Sequence, residues 1–462
     1  MRIEHVFDGG EGLLVVRSFE QGAEPGNQLM FRAEKGELWW FSSNELWLGL
    51  GKEPKLSALI RIFRLLFFKR KDRWPEHIVL DAKGRSPEWI ENAIIGIILG
   101  GYNLQLYKTE PKPFSVFFES GLLQILTEDG TSIEETISSA QKTALVQLRI
   151  MDLMNAPGNY KTPESLGEWA KKSGAANGYS VSVFDKEKLQ ELGMHALLAV
   201  SKGSAKPPVM IVSEYVPANY TKTVALVGKG VTFDTGGISI KPSANMHLMK
   251  SDMGGAAAVL GVVELAAQLQ LPVRIIGIIP STENSVDGAA MKPGDVISSY
   301  SGKTIEVIDT DAEGRLILAD GLSYAVRNFQ PDILIDLATL TGSVIQTLGY
   351  EAAGLFTPND NLATDLARAG EATGERLWRL PVWDEYKEEI SSDIADVKNY
   401  HGKPLAGAIV AAKFLEVFTD SHAAWAHLDV AGMAFGDTEF APGRAGTAYG
   451  IRLLKQYLTA LS

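Results

Sequence analysis

Residues Asp309-Thr310-Asp311-Ala312-Glu313-Gly314-Arg315-Leu316 bring three acids and a guanidinium together, and no other stretch of the chain is as dense in them. Such a run suits a divalent cation with oxygen ligands, and Asp311 and Glu313, at i and i+2, face the same way if the segment is extended. A solvated acidic turn in which Arg315 pairs its own neighbours would produce the same short pattern. A second charged cluster upstream favours metal. It follows Thr223–Val227, a short apolar run that reads as a buried strand, and carries Lys229, Asp234, Lys241 and Asp252. Gly228, Gly230, Gly236 and Gly237 allow close backbone approach or positive φ there, as a functional loop requires. Beyond it, Ala256–Leu269 is alanine-rich and free of proline, which predicts a buried helix. Asp252 then sits just ahead of a helix N-terminus, a place that favours an acid with or without metal.

These two stretches resemble the leucyl (cytosol) aminopeptidase family, two-metal exopeptidases whose hallmark octapeptide reads Asn-Thr-Asp-Ala-Glu-Gly-Arg-Leu. The resemblance extends over roughly residues 150 to 455 and includes the spacing between the motifs. It implies metal ligands at Lys229, Asp234, Asp252, Asp311 and Glu313, and catalytic, non-ligating roles for Lys241 and Arg315. All seven positions hold the residue type that the family requires. It also implies a pocket for the first side chain formed by Met249 and Thr339, Leu340, Thr341 and Gly342, with Ala431 and Gly432 near its far wall. Homohexamers with inward-facing active sites are the expected assembly, and bicarbonate held by Arg315 is the expected proton shuttle.

Elementary chemistry is compatible with that assignment. Five ligand side chains are too many for one catalytic ion with an open position, but they suit two ions about 3.5–4 Å apart that share carboxylates and activate a bridging water. Lys241 can supply positive charge where the peptide carbonyl becomes an oxyanion. A ligating Lys229 must be neutral, which requires nearby cations to depress its pKa; spacing alone suggests an ordinary ion pair with Asp234 or Asp311. Arg315 stays charged and can hold a planar oxyanion through two parallel bonds. Manganese and zinc are the foremost candidates for the ions, since carboxylate and amine ligands accept several metals. Methionine beside small residues makes an adaptable apolar pocket, so leucine or another uncharged residue is the expected N-terminal substrate, although core packing would equally account for Met249.

Two positions depart from the family. Asp309 replaces the octapeptide's asparagine, and it could stay ionised and tighten metal binding, be protonated, or alter metal preference. His247 stands where an aspartate is common, and a lone histidine near a loop usually serves as a polar surface or capping group. The competing function is a weakened or inactive homologue acting as an oligomeric binding or DNA-binding protein. A net charge of −12 argues against nucleic acid as a partner. Ser301-Gly302-Lys303-Thr304 resembles the end of a phosphate-binding loop, but Ile297 stands where its first glycine belongs.

The 462 residues, 45% hydrophobic and 22% charged, are ordinary for a globular α/β protein with two unequal domains. The absence of cysteine fits a reducing cytoplasm, and the N-terminal residues show no apolar signal core or membrane span, so a cytoplasmic location is expected. In residues 1–130, strand-like Gly12–Arg17 and Ser115–Phe118 accompany helix-like Pro87–Leu99, which predicts a small α/β domain. The basic, apolar run Arg61–Arg73 reads as a domain helix with one buried face rather than a membrane or nucleic-acid element. Residues 131–154 read as a connecting helix, chiefly Ser132–Met154, and 155–462 as the catalytic domain. Strands there are expected at Ser180–Phe184, Val209–Val212, Thr223–Val227, Val273–Pro280 and Ile333–Leu337, in a mixed, largely parallel sheet flanked by helices. Both acidic motifs then fall at strand ends, the usual place for functional loops in such sheets.

Overall fold

A computed structural model describes the chain apart from residues 9, 11, 24–29, 129, 131, 437, 438 and 462. It forms two compact units, Met1–Leu148 with Glu439–Ala441, and Arg149–Thr438 with Pro442–Ser462. The division falls inside the long helix Glu134–Asn155.

In the first unit a six-stranded sheet runs Arg2–Val6, Leu122–Leu126, His77–Asp81, Leu14–Glu20, Glu45–Gly51 and Leu38–Ser42, parallel except for the last pair. The run Arg61–Arg73 lies in helix Leu56–Lys69 up to Lys69 and in the turn after it, and Leu59, Ile60, Ile62, Phe63, Leu66 and Phe67 of that helix are buried, so it is a domain helix. It packs against Pro87–Gly100, which starts at proline under a Ser86 side-chain cap. One expectation fails here. Ser115–Phe118 is not a strand, because Val116–Glu119 forms a single helical turn after Ser115; three apolar residues are too few to separate the two periodicities.

The second unit is built on the run Leu377–Leu380, Ala353–Phe356, Trp425–Asp429, Ile333–Ala338, Thr223–Gly228, Arg274–Asn284, Val209–Tyr215 and Ser180–Phe184, with Gly230–Asp234 pairing the end of Arg274–Asn284. The four central strands are mutually parallel. Their residues are mostly apolar on both faces, as burial between helices requires, apart from polar residues at the strand ends and the fully buried pair Asp336 and His427. Helix Gly254–Leu269 covers one face of Thr223–Gly228, where Gly228 meets Ala256, and Gly314–Phe329 covers the other, where Gly321 meets Val227. The stretch Met246–Leu269 is apolar enough for a membrane span by composition, but most of it is buried in this core. The phosphate-loop look-alike is the turn of a β-hairpin between Val296–Ser298 and Thr304–Glu306, with Gly302 at φ +90.

Candidate active site

Three parallel strands end side by side, with Leu337 level with Gly228 and Ala338 level with Asp429. The chain beyond each strand therefore leaves from one edge of the sheet, the edge at which open α/β sheets bind ligands. Lys229 follows the first of these strands, Thr339–Gly342 the second and Ala431 the third. Asp234 closes the short strand Gly230–Asp234, level with Asn284. Asp252 comes from the turn that follows Met246–Ser251 and immediately precedes the buried helix.

The octapeptide is a turn, not an extended segment, so its two acids are aligned differently than i, i+2 alternation predicts. Asp309 Oδ1 accepts the Asp311 N–H at 2.8 Å, and the Ala312 N–H returns to the Asp309 carbonyl at 3.3 Å. A short side chain bonding its own backbone competes with extension. Glu313 then becomes the cap residue of helix Gly314–Phe329, with φ −76 and ψ −34. The close approach of Lys229 to this helix start needs Gly314, since a Cβ there would lie 2.5 Å from Lys229 Cε. Gly236, at φ +88, leaves similar room beside Asp311.

The predicted charges meet. Lys229 Nζ lies 2.8 Å from Asp252 Oδ2 and 2.9 Å from Glu313 Oε1, and donates to the Thr339 carbonyl at 3.0 Å. Its partners are thus not Asp234 or Asp311, the pair that spacing suggested. Lys241 bridges those two instead, at 2.8 Å from Asp234 Oδ2 and in contact with Asp311 Oδ1. Asp234 Oδ1 also accepts from Asn284 Nδ2 and Gly236 N–H, each at 2.8 Å. Thr339 Oγ1 donates to Asp252 Oδ1 at 2.8 Å.

This donor set fits a metal. One oxygen from each of Asp234, Asp252 and Glu313 falls within 4.8 Å of the others, about the span of two oxygens sharing one divalent ion. Glu313 Oε2 is buried with no partner, and Asp252 Oδ2, Glu313 Oε1 and Asp311 Oδ1 are buried with only the lysine ammoniums against them. Buried carboxylates are costly when left in that condition. Burial first, then the other acids, pushes the Asp311 carboxyl up to about 7; burial likewise raises Asp252 and Glu313. Burial draws Lys229 down, but Asp252, Glu313 and Asp234 outweigh it and hold the ammonium above its ordinary value. Among the side chains alone Lys229 is therefore a cation, and only added positive charge would turn it into a ligand.

Arg315 is 6% exposed and donates from Nη1 to the Asn399 carbonyl at 2.7 Å, while its Nε has no partner. Burial lowers its pKa to about 10, which leaves it charged at neutral pH. Lys241, Asp252, Asp311 and Arg315 line a cavity of about 640 Å³ together with Met249, Thr339, Leu340, Thr341, Gly342 and Ala431. All the expected first-residue positions except Gly432 are on its wall. His247 is exposed on the turn Met246–Ser251 and does not line it.

Sequence reasoning missed two polar side chains that organise the loop. Asn399 Oδ1 accepts the Ile308 N–H at 2.8 Å, and its Nδ2 donates to the Asp309 carbonyl at 2.6 Å, so it fixes the octapeptide turn while its own carbonyl holds Arg315. Asn284 fixes Asp234 and donates to the Thr310 carbonyl at 3.0 Å. Neither carries a local sequence signal beyond being an amide in or next to a strand.

The family model for the catalytic domain of cytosol aminopeptidases matches residues 149–455. The chain belongs to the cytosol aminopeptidase family. It is 44% identical over 449 residues to the probable cytosol aminopeptidase of Chlorobium phaeobacteroides, covering 92% of this chain and 89% of that protein. It is 43% identical to the counterpart in Chlorobium limicola, covering 98% and 92%. Among solved structures, the bottromycin maturation enzyme BotP in complex with Mn is similar, with a TM-score of 0.87 and 32% identity over 97% of this chain and 99% of that one. Family membership makes the chain a metal-dependent aminopeptidase, a hydrolase acting on peptides.

Proposed function

We propose that this member removes leucine or other uncharged, apolar N-terminal residues and works with two divalent ions held by Lys229, Asp234, Asp252, Asp311 and Glu313. The observation that carries the reading is the set of buried carboxylates Asp234, Asp252 and Glu313, whose oxygens converge within 4.8 Å beside a cavity lined by Asp234, Asp252, Asp311, Lys241 and Arg315. When bound, the ion pair supplies Lewis acidity, which lowers the pKa of a water and takes up the substrate's free α-amino group. Lys241 places an ammonium beside the reacting carbonyl and stabilises the oxyanion. Arg315 would hold a planar anion, bicarbonate in this proposal, through the guanidinium edge that includes the unpartnered Nε, and the anion would supply a proton acceptor beside the metal ligands. Thr339 and Asn284 keep Asp252 and Asp234 aimed by hydrogen bonds, as groups behind metal ligands do. Met249 and the small residues Gly342 and Ala431 favour an apolar first side chain.

The Mn complex of the related BotP supports manganese here, with zinc the other candidate. A homohexamer is the proposed assembly. The naming of the relatives as cytosol enzymes supports a cytoplasmic site of action.

The test is hydrolysis of leucyl-p-nitroanilide by metal-stripped protein reloaded with manganese or zinc, with an N-acetylated substrate and Asp311→Ala as controls. Release is expected from the free amine alone, with two ions per chain and none of it in the variant. Equal rates with the acetylated substrate, or full activity with one ion, would refute the proposal.

A further inference from the structure

Asp429 ends the strand Trp425–Asp429 and is 0% exposed, with no cation in ion-pair contact among the described residues. A carboxylate buried this deeply must be compensated by hydrogen bonds. Its three bonds all come from the pocket segments. Oδ1 accepts the Leu340 N–H at 3.1 Å and the Ala431 N–H at 3.3 Å, and Oδ2 accepts the Thr341 hydroxyl at 2.6 Å. Leu340 and Thr341 form one stretch of the cavity wall and Ala431 another, while Asp429 itself does not line the cavity.

The consequences extend in both directions along the chain. The Thr341 oxygen that donates to Asp429 also accepts the Val344 N–H at 3.1 Å, which caps the helix Gly342–Leu348. One residue before Leu340, Thr339 is tied to the charged cluster through its hydroxyl to Asp252 and through its carbonyl to Lys229. Residues 339–341 are therefore anchored on one side by Asp252 and Lys229 and on the other by Asp429. No other side chain among the described residues hydrogen-bonds to both wall segments.

We infer that Asp429 is a positioning residue for substrate selection: it sets the spacing between the 340–341 wall and the Ala431 wall of the pocket that takes the first side chain. The inference rests on the proposed aminopeptidase reading of that pocket. Loss of the carboxylate releases both walls while leaving every charged residue of the cluster in place. Discrimination among N-terminal residues should suffer before metal binding does.

The experiment compares Asp429→Ala, Asp429→Asn and Thr341→Val with the wild type in metal-loaded enzyme, reading kcat/KM for leucyl-, alanyl- and phenylalanyl-p-nitroanilide together with metal content. Asp429→Ala should cut the leucine-over-alanine ratio by about tenfold, the scale that one methylene commands in an apolar pocket, with unchanged metal per chain. Asp429→Asn should recover part of the ratio, because its carbonyl oxygen still accepts the two N–H groups. A ratio within about twofold of wild type, against the methylene scale, would overturn the inference, and so would a uniform loss on all three substrates in step with lost metal. Should Asp429→Ala fail to fold, Asp429→Asn and Thr341→Val carry the same readout. Amide hydrogen exchange, which needs no substrate, gives an independent decision: Leu340 and Ala431, whose N–H groups lose their acceptor in Asp429→Ala, must exchange faster in that variant than in the wild type, relative to the strand Ile333–Ala338. A wild type that cleaves none of the substrates refutes the aminopeptidase reading, whereas unchanged exchange refutes the role of Asp429.

Discussion

Gly314→Ala isolates the contribution of lysine placement to activity. The added methyl would stand 2.5 Å from Lys229 Cε and 2.6 Å from Nζ. Carbon atoms in comfortable contact are about 3.5–4.0 Å apart, so lysine or helix must give by about 1 Å. A lysine tip usually moves at little cost. This one is held by Asp252 at 2.8 Å, Glu313 at 2.9 Å and the Thr339 carbonyl at 3.0 Å, and a shift of that size takes it out of range of at least one partner. Displacements of about 1 Å at a reacting centre cost on the order of 100-fold in rate.

Stability should respond far less. Overpacking costs about 1–3 kcal/mol, but replacing glycine by alanine at a helix position returns up to about 1 kcal/mol. The expected signature is a fall of about 100-fold in kcat/KM on leucyl-p-nitroanilide, with a cooperative unfolding midpoint close to that of the wild type. Circular dichroism in urea and metal analysis on the same samples separate the two effects. Activity within about threefold of wild type would show that Lys229 can move without consequence and would refute the argument from close approach.

Asp309→Asn keeps the side-chain oxygen that accepts the Asp311 N–H, so kcat/KM should stay within a few fold of wild type; a gain or loss of about 100-fold would mean that the charge itself matters to the reaction. Thr339→Val removes the donor to Asp252 Oδ1 and should weaken metal affinity by about 10–100-fold in a chelator competition, with a smaller effect on the saturated rate. Lys161 is buried and donates to the carbonyls of Met154 and Lys250 at 2.8 and 2.6 Å. Burial lowers its pKa from 10.5 to about 7, so the unfolded chain holds the extra proton between those values and stability should rise with pH across that window. In Lys161→Met, urea unfolding near neutral pH and above pH 9 should lose that rise, and the two orphaned carbonyls should cost about 1–3 kcal/mol each.

Much of the catalytic unit was legible because its elements are long and apolar. The strand Ser180–Phe184 appears at the expected residues, and Thr223–Gly228 and Ile333–Ala338 extend one residue beyond expectation. Other features were not legible, for physical reasons. The geometry of Asp311 and Glu313 depends on a side-chain bond from Asp309, which alternation rules do not contain. Ser115–Phe118 misled because a few adjacent aromatic and aliphatic residues satisfy helix and strand alike. Asn399 and Asp429 act on residues about 90 positions away, so their importance exists only after the sheet has aligned its strand ends. A weak signal was nonetheless present in Asp429, an acid at the end of the mostly apolar, buried strand Trp425–Asp429.

The seven charged residues also explain one another. Asp234, Asp252, Asp311 and Glu313 face Lys229, Lys241 and Arg315, which leaves a single net negative charge in a buried place. Asp252, Asp311 and Glu313 are pushed toward protonation by burial and by one another, and Lys229 is held as an ammonium, so the lysines act as counter-ions that allow the cluster to fold. The proposed ion pair would add four positive charges and reverse the balance, favouring ionised carboxylates and a neutral Lys229. Arg315 is then surplus positive charge with an unpartnered Nε, and an anion is what such a site should recruit. The proposed neutral amine at Lys229 and anion at Arg315, which rest on family resemblance when taken singly, would thus be two responses to the same excess of charge.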